Sequence, residues 1–195
     1  NLAIENVIVA SHLGKDIELI KLATELPNAR YSSSGNPSVI IELDRTNPKF
    51  IGHKRLKAAG VLFGNGKVLV TGIASLQEGK EIIAKLKSSI RAIDPKISTK
   101  RATKVENMVT RLNFGKRLDL QLISKAIPGS EYDPLRFQGL IIRVDNPIAS
   151  FILFESGVAV ITDIVSEAKA KKAFKGLKDL IDSSILAWAK INFLK

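Results

Sequence analysis

The chain is written twice. Asn6–Ile41 lies over Asn107–Ile142 at one constant spacing, with Glu5-Asn6-Val7 on Glu106-Asn107-Met108 and Tyr31 on Tyr132. Ile17-Glu18-Leu19 falls on Leu118-Asp119-Leu120, and Val39-Ile40-Ile41 on Leu140-Ile141-Ile142. The match then resumes at a shorter spacing, Leu62-Phe63-Gly64-Asn65-Gly66 against Leu153-Phe154-Glu155-Ser156-Gly157. The first copy therefore carries about ten extra residues between Ile41 and Val61, and a unit this long is no solenoid repeat. Two half-molecules related by a pseudo-twofold axis suit a target that is itself nearly twofold symmetric.

Composition narrows the class of partner. The 195 residues are 45% hydrophobic and 25% charged, a globular balance rather than a disordered one. No run reaches the ~18 apolar residues of a membrane span, so no membrane partner is expected, and the start of the chain shows no signal-peptide pattern. With no cysteine, disulfides, thiolate metal sites and cysteine nucleophiles are excluded. A net charge of +11 points to a polyanion, against the plainer reading of a solubilising surface.

Each copy reads in the same order. A strand (Ala3–Ser11; Lys104–Leu112) leads to a short helix (Asp16–Leu26; Leu118–Ile127) that Pro27 or Pro128 stops. An extended run follows (Pro37–Leu43; Gln138–Val144), then a hairpin (Gly60–Gly72; Ser150–Asp163) whose Asn65-Gly66 is a strong turn signal. Amphipathic helices over Leu76–Ile93 and Ser166–Ile181 close the copies. Alternation puts Val61, Phe63, Lys67, Leu69 and Thr71 on one face of the first hairpin, and Leu62, Val68 and Val70 on the other. Both faces are largely apolar, yet the helices can cover one only. The other is left exposed, the mark of a binding surface. In so basic a protein, an apolar face implies a ligand with an apolar floor between anionic rims, which describes the minor groove of DNA.

Here the residues meet a known family. Asn107-Met108-Val109, Glu131-Tyr132-Asp133-Pro134-Leu135-Arg136-Phe137-Gln138-Gly139-Leu140-Ile141 and Phe154-Glu155-Ser156-Gly157 resemble the second half of the TATA-box-binding protein core. The first half resembles it through Asn6, Asn28-Ala29-Arg30-Tyr31 and Leu62-Phe63-Gly64-Asn65-Gly66-Lys67. The resemblance implies an α+β saddle of two pseudo-symmetric repeats, a curved antiparallel sheet of about ten strands with helices on its convex side. Residues 1–93 would form the first repeat, with an insertion near 45–59 in its stirrup loop, 94–103 a linker, and 104–195 the second repeat and tail.

It also implies a mechanism, for which this family is the standard example of minor-groove binding by apolar wedges. Phe63, Phe137 and Phe154 take wedge positions, while the fourth falls on Asn36. The groove floor would be met by Asn6 and Asn107, Ile8 and Val109, Val61 and Ile152, Leu69 and Val160, Thr71 and Thr162. Amides and hydroxyls there can meet the acceptors of A·T pairs, and branched apolar groups exclude the guanine amino group. Phosphates would be held by Lys67, Arg143 and Ser156, whereas Glu42, opposite Arg143 in the repeat, would repel them. The basic insertion, with Lys49, Phe50, His53, Lys54, Arg55 and Lys57, is expected to compensate.

The implied function is a general transcription-initiation factor that binds and bends TATA promoter DNA. Its implied partners are initiation factors of the IIB and IIA type and the RNA polymerase pre-initiation complex. The charge points to the nucleus, with the cytoplasm as the archaeal alternative. No cofactor, metal or catalytic group is expected, since no triad, phosphate loop or ligand cluster stands in the sequence. The competing readings are a divergent relative serving mainly as a protein-interaction platform, and an accessory nucleic-acid-binding domain of an enzyme.

Overall fold

A computed structural model describes residues 2–45, 57–146 and 148–193. The chain divides into two compact units: Asn6–Glu106, here the first unit, and Asn107–Lys195 with Asn1–Glu5, the second. The first contains most of β1 (Ala3–His12), then α1 (Leu19–Glu25), β2 (Ala29–Ser32), β3 (Ser38–Leu43), β4 (Ala58–Phe63), β5 (Lys67–Ile73) and α2 (Leu76–Ile93). Its strands lie in the order β2-β3-β4-β5-β1, with antiparallel neighbours. The second unit repeats the plan with α3 (Leu120–Ala126), β7 (Leu140–Asp145), β8 (Ile148–Leu153), β9 (Val158–Ile164) and α4 (Glu167–Phe193). There β6 (Lys104–Asn113) begins the order β6-β9-β8-β7.

The described residues thus hold nine strands, against the ten or so expected. The difference is the counterpart of β2. Glu131 makes one isolated bridge to Ile141, and the chain then turns through Asp133-Pro134 instead of extending. Proline cannot donate to a ladder, so pairing stops there.

Two hairpins fix which residues face the core. Val61 pairs with Leu69 and Leu62 with Val68; in the second unit Ile152 pairs with Val160 and Leu153 with Ala159. The set Leu62, Val68 and Val70 is fully buried, as is the set Leu153, Ala159 and Ile161. These sets line the faces covered by α2 and α4, which bring Ile83, Leu86 and Ile90, and Ala170, Leu177 and Ile181, into the core. Each turn closes on a left-handed glycine, Gly66 (φ 84°) or Gly157 (φ 87°). A Cβ on either would collide with the carbonyl of Lys15 or Lys116, so only glycine fits.

Volume is redistributed between the two cores. Gly60 in β4 stands where the second unit has the fully buried Phe151, while Ile82 of α2 corresponds to Ala173 of α4. In the first core Leu43 and Leu86 close over Gly60, 3.0 and 3.4 Å from where a Cβ would stand, so neighbouring side chains keep that core close-packed. The repeats also share unusual backbone. Gly72 (φ 79°) is matched by Asp163 (φ 64°), and Asn28 (φ 57°) by Gly129 (φ 80°). Asn and Asp are the non-glycine residues that tolerate this region best.

Helix α2 begins with a two-way cap. Ser75 Oγ accepts from Glu78 N (3.1 Å), and the Glu78 carboxylate accepts from Ala74 N (2.9 Å). That buried carboxylate also takes both prongs of Arg45, at 3.0 and 2.9 Å. Arg45 thus ties the chain just after β3 to the start of α2. Residues 46–56 of the insertion, including Lys49, Phe50, His53, Lys54 and Arg55, lie outside the described residues.

Candidate nucleic-acid interface

The face of each sheet away from its helices carries the residues expected to touch a ligand. Asn6, Ile8, Val61, Leu69 and Thr71 are all half-buried in the first unit, alternating with core positions. Asn107, Val109, Ile152, Val160 and Thr162 have the same status in the second. No helix of the described residues packs on these side chains, because the strand period sends their neighbours to the helices. Phe63 and Phe154 are half-buried on the same faces, and Phe137 is 44% exposed.

In the second unit the two rings form a pair. Phe137 and Phe154 meet edge to face, centroids 6.1 Å apart at 72°. The chain before Phe137 is held by a tight turn, in which the Asp133 carbonyl accepts from Arg136 N (3.0 Å) and Phe137 N (2.8 Å). Gly139 makes the seat. A Cβ there would stand 2.6 Å from Phe137 Cε1 and 2.7 Å from Ile152 Cγ2, so a larger residue would push the ring off.

The first unit lacks both halves of this device. Asn36 replaces the ring, and Ser38, buried beside Phe63 in the β3–β4 register, replaces the seat glycine. The Asn36 amide makes no hydrogen bond within the described residues, and a shallow hollow lies between it, Phe63 and Leu69. The half-buried Phe63 stands alone there.

The polar floor residues are organised identically in both units. Asn6 Nδ2 donates to Thr71 Oγ1 at 2.9 Å, and Asn6 Oδ1 accepts from Gly72 N at 2.8 Å. Asn107 Nδ2 donates to Thr162 Oγ1 at 3.1 Å, and its Oδ1 accepts from Asp163 N at 3.0 Å. Each amide nitrogen keeps one N–H without a partner among the described residues.

The rim is electrostatically quieter than the sequence implies. Lys67 Nζ bonds Glu106 at 2.7 Å, and Arg143 is paired with Glu131. Glu42 does not face outward as a bare carboxylate, since Lys57 pairs with it. Exposed pairs of this kind contribute ~0–1 kcal/mol, so a phosphate can compete for the cations. Ser156 is exposed in the β8–β9 turn and makes no side-chain hydrogen bond among the described residues.

Two contributors carry no role that the sequence announces. Leu135, 98% exposed two residues before Phe137, extends the apolar tip of the second unit. Gly139 shapes the wedge seat. Lys57, expected with the basic insertion to meet phosphate, pairs with Glu42 and neutralises it. The signal for Gly139 was its pairing with Ser38 wherever Phe137 pairs with Asn36. Among the described residues no group of three or more His, Asp or Glu could hold a metal ion, and no helix is long and apolar enough to cross a membrane.

Comparison with known proteins agrees with this arrangement. The family described as transcription factor TFIID (or TATA-binding protein, TBP) matches residues 1–93 and 102–183. A TATA-box-binding protein of Methanothermobacter thermautotrophicus is 32% identical over 171 residues, covering 88% of this chain and 89% of its own. That of Pyrococcus furiosus is 32% identical over 181 residues, covering 93% and 90%. The solved structure of Methanococcus jannaschii TBP superposes with a TM-score of 0.79 at 31% identity, over 94% of this chain and 99% of that one. Repeated sheet units, matched open faces and these likenesses converge: the chain belongs to the TATA-binding protein family of general transcription-initiation factors.

Proposed function

We propose that the open faces of the two units are the DNA-contacting surface, binding A·T-rich promoter duplex in the minor groove. The observation that carries this is the pairing of ten floor residues across the repeat, all half-exposed on the helix-free faces. Phe63, Phe137 and Phe154 enter base steps, each unstacking costing a few kcal/mol that apolar contact offsets. Lys67, Arg143 and Ser156 hold phosphates, the first two after giving up their carboxylate partners. The duplex bends as it opens. Bound, the protein presents surfaces to factors of the IIB and IIA type and so to the polymerase assembly. The reading assigns it no reaction. Its place of action is the cell's DNA; a nuclear location rests on charge alone, since the relatives named are archaeal.

A mobility-shift titration on a TATA duplex against a scrambled one, with end-to-end energy transfer on the same duplex, tests this. Preference for TATA with a shortened end-to-end distance is expected, and equal affinity without bending would overturn it. The second reading, a member acting chiefly as an interaction platform with weak TATA binding, draws on Asn36, on Val158 where the first unit has Lys67, and on the left-handed Asp163. The same titration separates the two.

A further inference from the structure

The repeat lets one unit show what is missing from the other. In the first unit α2 stops at Ile93 and the chain doubles back. Asp94 pairs with Lys15 at 2.6 Å, Ile97 is buried, and Ser98 donates its backbone N–H to the Leu13 carbonyl at 2.6 Å. Gly14 is tight against this clip, since a Cβ there would stand 2.9 Å from Ser98 Cβ. Leu13 ends fully buried.

The second unit has the same corner without the clip. Helix α4 runs on to Phe193 where α2 ended, so its chain does not fold back. Phe114, the counterpart of Leu13, stays half-exposed, and its carbonyl accepts no hydrogen bond within the described residues. Nothing lies within 4 Å of where a Gly115 Cβ would be. Lys116, the counterpart of Lys15, is exposed and has no ion pair among the described residues. Beside this corner runs a groove with about 430 Å³ of free space, floored by Phe114, Leu118, Ile123, Ile181 and Ile185. Lys178 adds positive charge, lying 5.6 Å above the Phe114 ring and 5.1 Å above Phe174.

We propose that this groove docks an extended segment of a partner protein, with a carboxylate three residues before an aliphatic side chain. Residues 94–98 supply the template. The carboxylate pairs with Lys116, the aliphatic group covers Phe114 and Leu118, and the next backbone N–H bonds the Phe114 carbonyl. The charged groups of the lining are Lys116, Arg117 and Lys178 against Asp119 and Asp182, and Asp119 is engaged as the cap of α3, so the balance favours an acidic occupant with its carboxylate at Lys116. None of the groove's residues lies on the open face, so this proposal and the DNA-binding reading can fail separately.

The probe is a fluorescein-labelled peptide with the sequence of residues 92–100 carrying Lys96→Glu and Lys100→Glu, titrated with the whole protein by anisotropy. Saturable binding is expected, weakened about five- to tenfold by Lys116→Glu, since reversal replaces attraction with repulsion. A peptide that also carries Asp94→Lys should recover that loss on the Lys116→Glu protein, a rescue that misfolding cannot produce. Lys15→Glu should leave the affinity unchanged. Absence of saturable binding, indifference to Lys116→Glu, or sensitivity to Lys15→Glu instead would overturn the proposal, the last by showing exchange into the first unit. TATA-duplex affinity of Lys116→Glu, read in parallel, should stay within about twofold of wild type, as the residue lies off the open face.

Discussion

The first unit has one ring on its open face where the second has two. Both share strand register, turn glycines and the Asn–Thr pairs, so the frame is held in common while the wedges differ. The difference is coordinated. Phe137 comes with Gly139, and Asn36 comes with Ser38, so ring and seat have changed together. The cores show the same logic, with Leu43 and Leu86 closing over Gly60 where the second unit has Phe151. A repeated fold constrains the sum of neighbouring side chains more tightly than any one of them.

The largest expected effect removes the asymmetry from the second unit's side. Phe137→Asn should lower affinity for a TATA duplex about 10- to 100-fold, since a few kcal/mol of unstacking would lose its offset. An unchanged mobility shift would mean the exposed ring is no wedge. The converse substitution should gain less. Asn36→Phe with Ser38→Gly should raise affinity by up to about tenfold and shorten the end-to-end distance of the bound duplex. Asn36→Phe alone should gain little, because the Ser38 Cβ occupies the ring's seat; equal gains would break the coupling of ring and seat.

A third comparison concerns stability. Thr110 is fully buried with its hydroxyl unpartnered among the described residues, at the position where the first unit has Val9. Thr110→Val should raise stability by about 1–2 kcal/mol, seen as a higher urea midpoint at unchanged slope. A fall would show that the hydroxyl has a partner.

The smallest effect belongs to the clip. The Lys15 hydrogen bond, helped by the Lys96 backbone N–H, holds the Asp94 carboxyl below its ordinary 3.8. A depressed carboxyl contributes stability above its unfolded value, lost as pH falls through the lower folded one. The stability difference between wild type and Asp94→Asn should therefore be present at neutral pH and shrink below pH 3.8. Ile185 stands at the matching position of the second unit and cannot titrate.

The strands, hairpins and facing of side chains were legible because alternation and turn chemistry are local. Leu62 and Val68 went inward, and Val61 and Leu69 outward, as their period required. Other features were not. β2 has no apolar alternation, its Arg30 and Tyr31 both being exposed, so it exists by pairing with β3. α1 and α3 begin at Leu19 and Leu120, later than the expected Asp16 and Leu118; Asp119 caps α3 through Leu122 N, whereas Glu18 at the start of α1 makes no side-chain cap. α4 passes Ile181 because Asp182-Ser183-Ser184 contains neither proline nor glycine to stop it. Ion pairs such as Lys57–Glu42 join residues far apart in sequence, which no spacing announces. The burial of Lys87, whose ammonium bonds Ser11 Oγ (2.7 Å) and the Arg101 carbonyl (2.8 Å), was likewise invisible. Desolvation holds its pKa below the ordinary 10.5.

The backbone N–H groups of Gly72 and Asp163 reach further than the turns they close. Each grips the oxygen of an asparagine amide, at 2.8 and 3.0 Å, and so forbids that amide from swapping its two ends. On the DNA-binding reading, the probe offered to a base edge is then permanently a proton giver. An adenine or thymine acceptor is welcomed, whereas the guanine amine meets a second donor and has nothing to bond. Selectivity of this kind is set before any duplex arrives, and it spares the rotamer-ordering cost of ~0.5–1.5 kcal/mol that a free side chain would add.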